Sequence, residues 1–212
     1  MTIFRSFIVL LIIAGFFWAC EEPNVRISNL DPGVSATFID VDSLLSLDAA
    51  ILDINAAITE INDSLVVIDS LITAGDPTDY TEEVAALNAS KSALNSEKTV
   101  LNSNRTSVSN GKILIETITA AGASEIITFT ESQSAYRLPL DPAADITDLF
   151  ITYRGEINRV RFFYETDTLL NERTVRIVAQ NLELASFDYD SAKFSCDTIE
   201  CSSTNAKAVF YM

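Results

Sequence analysis

The chain has 212 residues, with 14 Lys and Arg against 30 Asp and Glu and a formal net charge of −16. Such a chain repels phosphate backbones and carries no basic stripe, which argues against nucleic-acid binding. Histidine is absent, so Ser–His and Cys–His nucleophilic catalysis lacks its base. The six glycines are scattered and form no phosphate-binding loop, and no cofactor or metal is expected.

Arg5 and the amino terminus form a thin positive region ahead of an apolar run. The fifteen residues from Ser6 to Cys20 are uncharged. A membrane-spanning helix needs roughly 20 such residues, so the run suits the core of a signal peptide better than a span. Ala19 has the small side chain that cleavage before Cys20 requires, whereas Phe17 does not fit an ordinary secretory site. Phe17-Trp18-Ala19-Cys20 resembles the lipobox of bacterial envelope lipoproteins with a type II signal peptide. That signal reads a large apolar residue, a small residue and an obligatory cysteine together. Leu is usual where Phe17 stands, and Trp18 is unusual. An uncleaved N-terminal anchor with an incidental cysteine is the alternative.

The resemblance implies removal of residues 1–19 and acylation of Cys20 with two or three chains, a stable tether where a single chain binds weakly. Glu21-Glu22 lacks the Asp of the usual inner-membrane retention signal, and an acidic pair after the cysteine resembles a surface-export signal of some Gram-negative lineages. The expected address is the bacterial outer membrane, lipid-anchored, facing the periplasm or the cell surface. Processing leaves 193 residues with 13 basic against 30 acidic side chains, a net charge of −17. Attachment would then depend on lipid, since an anionic bilayer repels this charge. In an oxidising envelope, Cys196 and Cys201 read as a disulfide pinching Asp-Thr-Ile-Glu. Free thiols or a metal are the alternatives, and zinc would need two further ligands that no histidine supplies.

Residues 20–38 are rich in turn formers, including Pro23, Asn24 and Asp31-Pro32-Gly33, and read as a flexible tether with room for one short strand. From Leu44 the pattern changes. Leu44, Leu47, Ile51, Ile54, Ile58, Ile61, Leu65, Ile68 and Ile72 alternate steps of three and four, the seam of a heptad repeat. Asp40 or Asp42 can cap the start, and Gly75-Asp76-Pro77 stops the helix. Asp79 and Glu82 suit a capping box for a second helix, which Asn110-Gly111 ends in a left-handed turn. Its stripe of Tyr80, Val84, Leu87, Leu94, Leu101 and Val108 is interrupted by Lys91, Lys98 and Arg105.

The first helical stretch holds eight acids and no base between Ile39 and Asp76, while the second has three of each sign. Equal lengths, a short loop and complementary charge predict an antiparallel, coiled-coil-like hairpin over 39–110. Cationic stems would lie on the seam with their heads at flanking Asp. Leu45, Leu52 and Val66 widen the first stripe beyond what one facing helix covers. They are a candidate face for a partner protein or a second copy, or they lie against the chain's own C-terminal part.

From Lys112 the period drops to two. Strand-like runs occur at 113–119, 125–130, 149–154, 158–165, 173–180, 182–189 and 207–211, and twelve of the nineteen aromatic residues fall here. An antiparallel β-sandwich over 112–212 is expected, so the fold class is α+β. Leu138-Pro139-Leu140-Asp141-Pro142 and Asp167-Thr168-Leu169 resemble small β-domains of uncharacterised envelope lipoproteins, a resemblance that assigns no functional residue.

Asp141, Asp145 and Asp148, and Asp188 with Asp190, can present oxygens to calcium, but lack the glycine punctuation of a calcium loop. Capping is the plainer role. Along the strand 159–165, Arg159, Arg161 and Phe163 share one face, and Arg176 can join it from the next strand. This candidate binding face could grip an acidic glycan or carboxylate, or simply pair with neighbouring Glu156, Glu165 and Glu172. A flat exposed strip of Phe163, Tyr189 and Tyr211 would favour stacking on sugar. The sequence therefore predicts a non-catalytic binding or structural lipoprotein, with a glycan-binding module as the alternative and an envelope hydrolase third.

Overall fold

The computed structural model describes residues 26–27, 32–121, 126–171 and 174–212. Among these residues the fold is α+β, with two helices and two largely antiparallel sheets. The strands are β1 (Arg26–Ile27), β2 (Gly33–Ile39), β3 (Thr117–Ala120), β4 (Ile126–Thr128), β5 (Tyr136–Pro139), β6 (Ile146–Tyr153), β7 (Glu156–Asn171), β8 (Thr174–Phe187), β9 (Ser191–Cys196) and β10 (Ala206–Tyr211). Helices α1 (Val41–Thr73) and α2 (Thr81–Ser109) lie between β2 and β3. One sheet has the order β1-β8-β7-β6-β3-β4 and the other β5-β2-β10-β9. Among the described residues no helix is long and apolar enough to cross a membrane.

The stretch 33–38, expected as the end of a flexible tether, is instead an inner strand of the four-stranded sheet. In β2, Val34, Ala36 and Phe38 are fully buried while Ser35 is exposed. Only three inward residues carry that period-two signal, and the adjacent Asp-Pro-Gly obscures it. β2 pairs in parallel with β10, from Ser35–Lys207 to Ile39–Tyr211, and antiparallel with β5. The helices thus interrupt a β-unit that starts before them.

Inward residues of both sheets share one core. Phe38 and Phe210 stack with ring centroids 5.3 Å apart, and Phe162 reaches Phe194 across the sheets at 6.1 Å. Fully burying each such side chain contributes roughly 1.5–3 kcal/mol. The runs expected at 173–180 and 182–189 are one strand, because Asn181 adopts a positive φ of 50° and the register shifts beside it. Such bulges bend a strand without ending it. Tyr136–Pro139 and Ser191–Cys196 form strands that the sequence pattern does not suggest.

The registers fix two ends of the β-unit. Ile39, Tyr211 and Tyr153 stand at one end. Gly33, Pro139, Ile146 and the β9–β10 connection stand at the other. Both helices are rooted at the first. Asp40 caps α1, its carboxylate accepting from Ser43 N at 2.8 Å and Ser43 Oγ at 2.7 Å. The same carboxylate accepts from Tyr153 Oη at 2.6 Å and pairs with Arg154 at 3.1 Å, yet Asp40 is only 3% exposed. Val41 N donates to Met212 O at 2.8 Å.

The return from α2 is equally constrained. Gly111 has φ +69°, and a side chain there would collide with Thr37 and approach the Phe38 carbonyl. Tyr136 Oη then donates to Ile113 O and accepts from Ile115 N. Arg105, near the end of α2, is paired to Asp48, near the start of α1. Among the described residues, neither makes an extended contact with a strand.

Burial raises the Asp40 carboxyl pKa, but the hydrogen bonds from Tyr153 and Ser43 and the Arg154 charge outweigh it, leaving a net lowering from 3.8. Tyr153 is pushed up to about 12 by burial and by Asp40. Asp40→Ala removes a helix cap and orphans a tyrosine hydroxyl, so it should lower stability by about 2–3 kcal/mol near neutral pH. A depressed folded-state pKa stabilises above the unfolded value and is lost as pH falls through the folded one. The gap between wild type and Asp40→Ala in urea unfolding should therefore be largest above about pH 5 and narrow below about pH 4.

Candidate functional site

Two surfaces stand out from the sequence, and the structure treats them differently. Leu45, Leu52 and Val66 are 63%, 67% and 68% exposed. Their spacings of seven and fourteen residues return nearly to one direction on the helix, so they form a stripe along α1. The option that they lie against the chain's own β-unit is overturned by that exposure. Val67, Ile72 and Val100 are also more than half exposed. Ile72 is a seam position that falls at the helix turn, where α2 has not yet begun.

The seam itself is thin. Of the nine seam residues of α1, only Ile54 and Ile68 are buried, and α2 buries none of its side chains. Lys91 and Lys98 occupy half-buried positions on the opposing stripe. Arg105 lays its head on Asp48, as the charge pattern predicts. Asp48 is held below its usual range by that hydrogen bond. The flanking Asn88, Asn95 and Asn102 each donate to a carbonyl four residues back, at 2.9 Å. The polar side of α2 thus satisfies itself, and the apolar stripe of α1 remains uncovered.

The second surface is the outer face of the six-stranded sheet. β6 buries Thr147, Leu149 and Ile151 and turns Ile146, Asp148 and Phe150 outward. The register sets Asp148 opposite Arg161, Phe150 opposite Arg159 and Ile146 opposite Phe163. Arg159, Arg161 and Phe163 therefore do share one face. Arg161 grips Asp148 with two hydrogen bonds of 2.7 Å, and Arg159 adds a third of 2.9 Å. Arg161 and then Arg159 hold the Asp148 carboxyl far below the ordinary range. The partner is Asp148 on the neighbouring strand, rather than the glutamates weighed from sequence. Much of the cationic character is therefore balanced from within.

Arg176 does not join this face. It sits opposite Leu169, whereas Phe163 pairs with Glu183. Seven residues of strand separate the two places, roughly 23 Å. Phe163, Tyr189 and Tyr211 form no aromatic strip either. Phe163 is 41% exposed, but Tyr189 is buried against Phe38 and Phe210, and Tyr211 lies in the other sheet beneath Lys193.

A third feature, absent from the sequence reading, is a cleft of about 380 Å³ at the helix roots. Asp42, Glu156, Asp188 and Asp190 line it beside Tyr189 and Met212. The Tyr189 hydroxyl is buried with no hydrogen-bond partner among the described residues, its pKa raised by burial and then by Asp188. Asp188 accepts from Arg159 N at 2.8 Å. No three metal-ligating side chains converge among the described residues.

Asp141, Asp145 and Asp148 are not brought together as a calcium loop. Asp141 closes its own turn by accepting from Ala143 N, while Asp148 faces the arginines. Cys196 and Cys201 are joined as a disulfide with their Cα atoms 5.3 Å apart, closing the β9–β10 loop. Cys20 lies outside the described residues. Comparison with protein-family models, characterised proteins and solved structures finds no match to this chain.

The shared carboxylate makes Asp148 the keystone of its face. Asp148→Asn should cost about 1–2 kcal/mol, because two arginines lose their charged acceptor together. Arg159→Gln should cost less than about 1 kcal/mol, since that side chain is 40% exposed and solvent-screened. Urea unfolding of the two variants tests the order.

Proposed function

We propose that the protein is a non-catalytic outer-membrane lipoprotein, tethered through acyl chains on Cys20, that binds another protein through its helices. In this reading α1 and α2 form an antiparallel helical hairpin standing on a β-sandwich, and the hairpin is the working part. The observation that carries the proposal is the uncovered stripe of Leu45, Leu52 and Val66 on a helix pair that makes no extended contact with the described strands. Isolated exposed leucines are ordinary, but a heptad-spaced row beside a thin two-helix seam fits a third helix. Its occupant would be an amphipathic helix, from another protein or from a second copy. The acidic bias of α1, six acids to no base, favours a partner with basic residues flanking its apolar face.

The two-sheet unit serves as a rigid mount. Its two arginines are engaged with Asp148, and its aromatic residues contribute mainly to the core, so neither favours a sugar-binding surface.

A photo-crosslinking residue placed at Leu52 in living cells should give an envelope adduct, and Leu45→Asp with Val66→Asp should abolish it. The same probe at Glu60, elsewhere on the exposed surface of α1, should give a several-fold weaker adduct. Equal adducts from Leu52 and Glu60, or none from Leu52, would overturn the reading. Cys20→Ser should in parallel lose incorporation of a palmitate analogue.

A further inference from the structure

The long β7–β8 ribbon extends well past β6, with only the two-residue β1 beside its outer end. β6 pairs with β7 only as far as Ile146 opposite Phe163. β7 continues to Asn171, paired along its length with β8. Eight further residues amount to roughly 25 Å of overhang. The β9–β10 loop braces its base, where Leu182 N donates to Cys201 O and Ser203 N to Ala179 O. From Glu165 to Leu170 every β7 side chain is exposed. Leu169 is 47% and Leu170 80% exposed, on opposite faces because they are adjacent. A ribbon with leucines in water on both faces is not built to pack on a sheet.

The chain enters the β-unit at this same end. β2 begins there at Gly33, thirteen positions after Cys20. β1 runs parallel to β8 with Arg26 beside Thr174, at the outer end of the ribbon. Arg26 lies six positions after Cys20, a reach of at most about 20 Å for an extended chain. The β9–β10 loop at this end also carries Ile199, fully exposed. The helices leave from the opposite end.

We infer that the outer end of the β7–β8 ribbon touches the bilayer to which Cys20 tethers the chain, with Leu169 and Leu170 seated at the lipid surface. The inference rests on the reading of Cys20 as acylated. Arg176, opposite Leu169, stands where a guanidinium on a long stem can reach lipid phosphates while its stem stays with the leucines. The residue that the sequence groups with Arg159 and Arg161 thus acquires a different role.

The test uses the full acylated protein in phosphatidylethanolamine–phosphatidylglycerol vesicles, with the acyl adduct verified by intact mass. An environment-sensitive fluorophore is attached at Leu170→Cys, and in a second sample at Leu52→Cys. Both positions are exposed, so labelling leaves the fold in place, and the native cysteines are acylated or disulfide-bonded. Lipids brominated near the headgroup should quench the probe at 170 several-fold more than the probe at 52. Equal quenching in verified acylated protein would overturn the inference while leaving the tether intact, including the case in which a protein covers this tip. Absence of the adduct from the native protein would instead overturn the anchor reading.

Discussion

The carboxylate of Asp40 is the constraint on which the arrangement depends. It follows β2 of one sheet, caps α1, and accepts a hydrogen bond from Tyr153 at the end of the other sheet. One buried group therefore fixes where two sheets and a helix meet. Without its partners a buried carboxylate would be costly or would take up a proton; here burial is outweighed by Tyr153, Ser43 and Arg154. Gly111 completes the arrangement on the return side, where a side chain would strike β2. The helices can then leave the β-unit at one defined place.

This junction gives the molecule two ends with different chemistry. At one, two helices of 33 and 29 residues leave the β-unit with an uncovered apolar stripe. At the other, the chain enters beside a ribbon tipped with leucines. In the proposed reading the lipid and the ribbon define the membrane side, and the hairpin is held away from it. The β-unit between them supplies rigidity through its aromatic core, and the Arg159–Asp148–Arg161 cluster orders its outer face.

Long, regular patterns are legible in the sequence. The nine-position heptad run marks α1, and Gly75 and Asn110-Gly111 mark the helix ends, because those signals are local. That a cation of α2 meets an Asp of α1 follows from the charge pattern, whereas the particular pair, Arg105 with Asp48, is set by the structure. The face shared by Arg159, Arg161 and Phe163 follows from strand alternation. Their partner does not, since Asp148 is brought opposite only by the β6–β7 register. Arg176 is out of reach of sequence reasoning for a related cause: register shifts and a long hairpin carry it away from that face. β2 is poorly signalled because three inward residues beside Asp-Pro-Gly are a weak pattern, and its place in the sheet depends on β10 far along the chain. The acidic cleft is likewise a product of tertiary structure, drawing residues from β6 and β7, the β8–β9 connection, the residue after β10 and the start of α1.

In the proposed reading the helices project away from a lipid-held end. At about 1.5 Å per residue the helix pair is about 45–50 Å long, and the strands and overhang add roughly 40 Å more. Neutron reflectometry of the acylated protein on a supported bilayer measures this directly. On those dimensions the account predicts protein density reaching at least about 70 Å from the headgroups, thin in its outer half where only two helices remain. A layer of uniform density less than about 40 Å deep, with the helices lying along the bilayer, would contradict it.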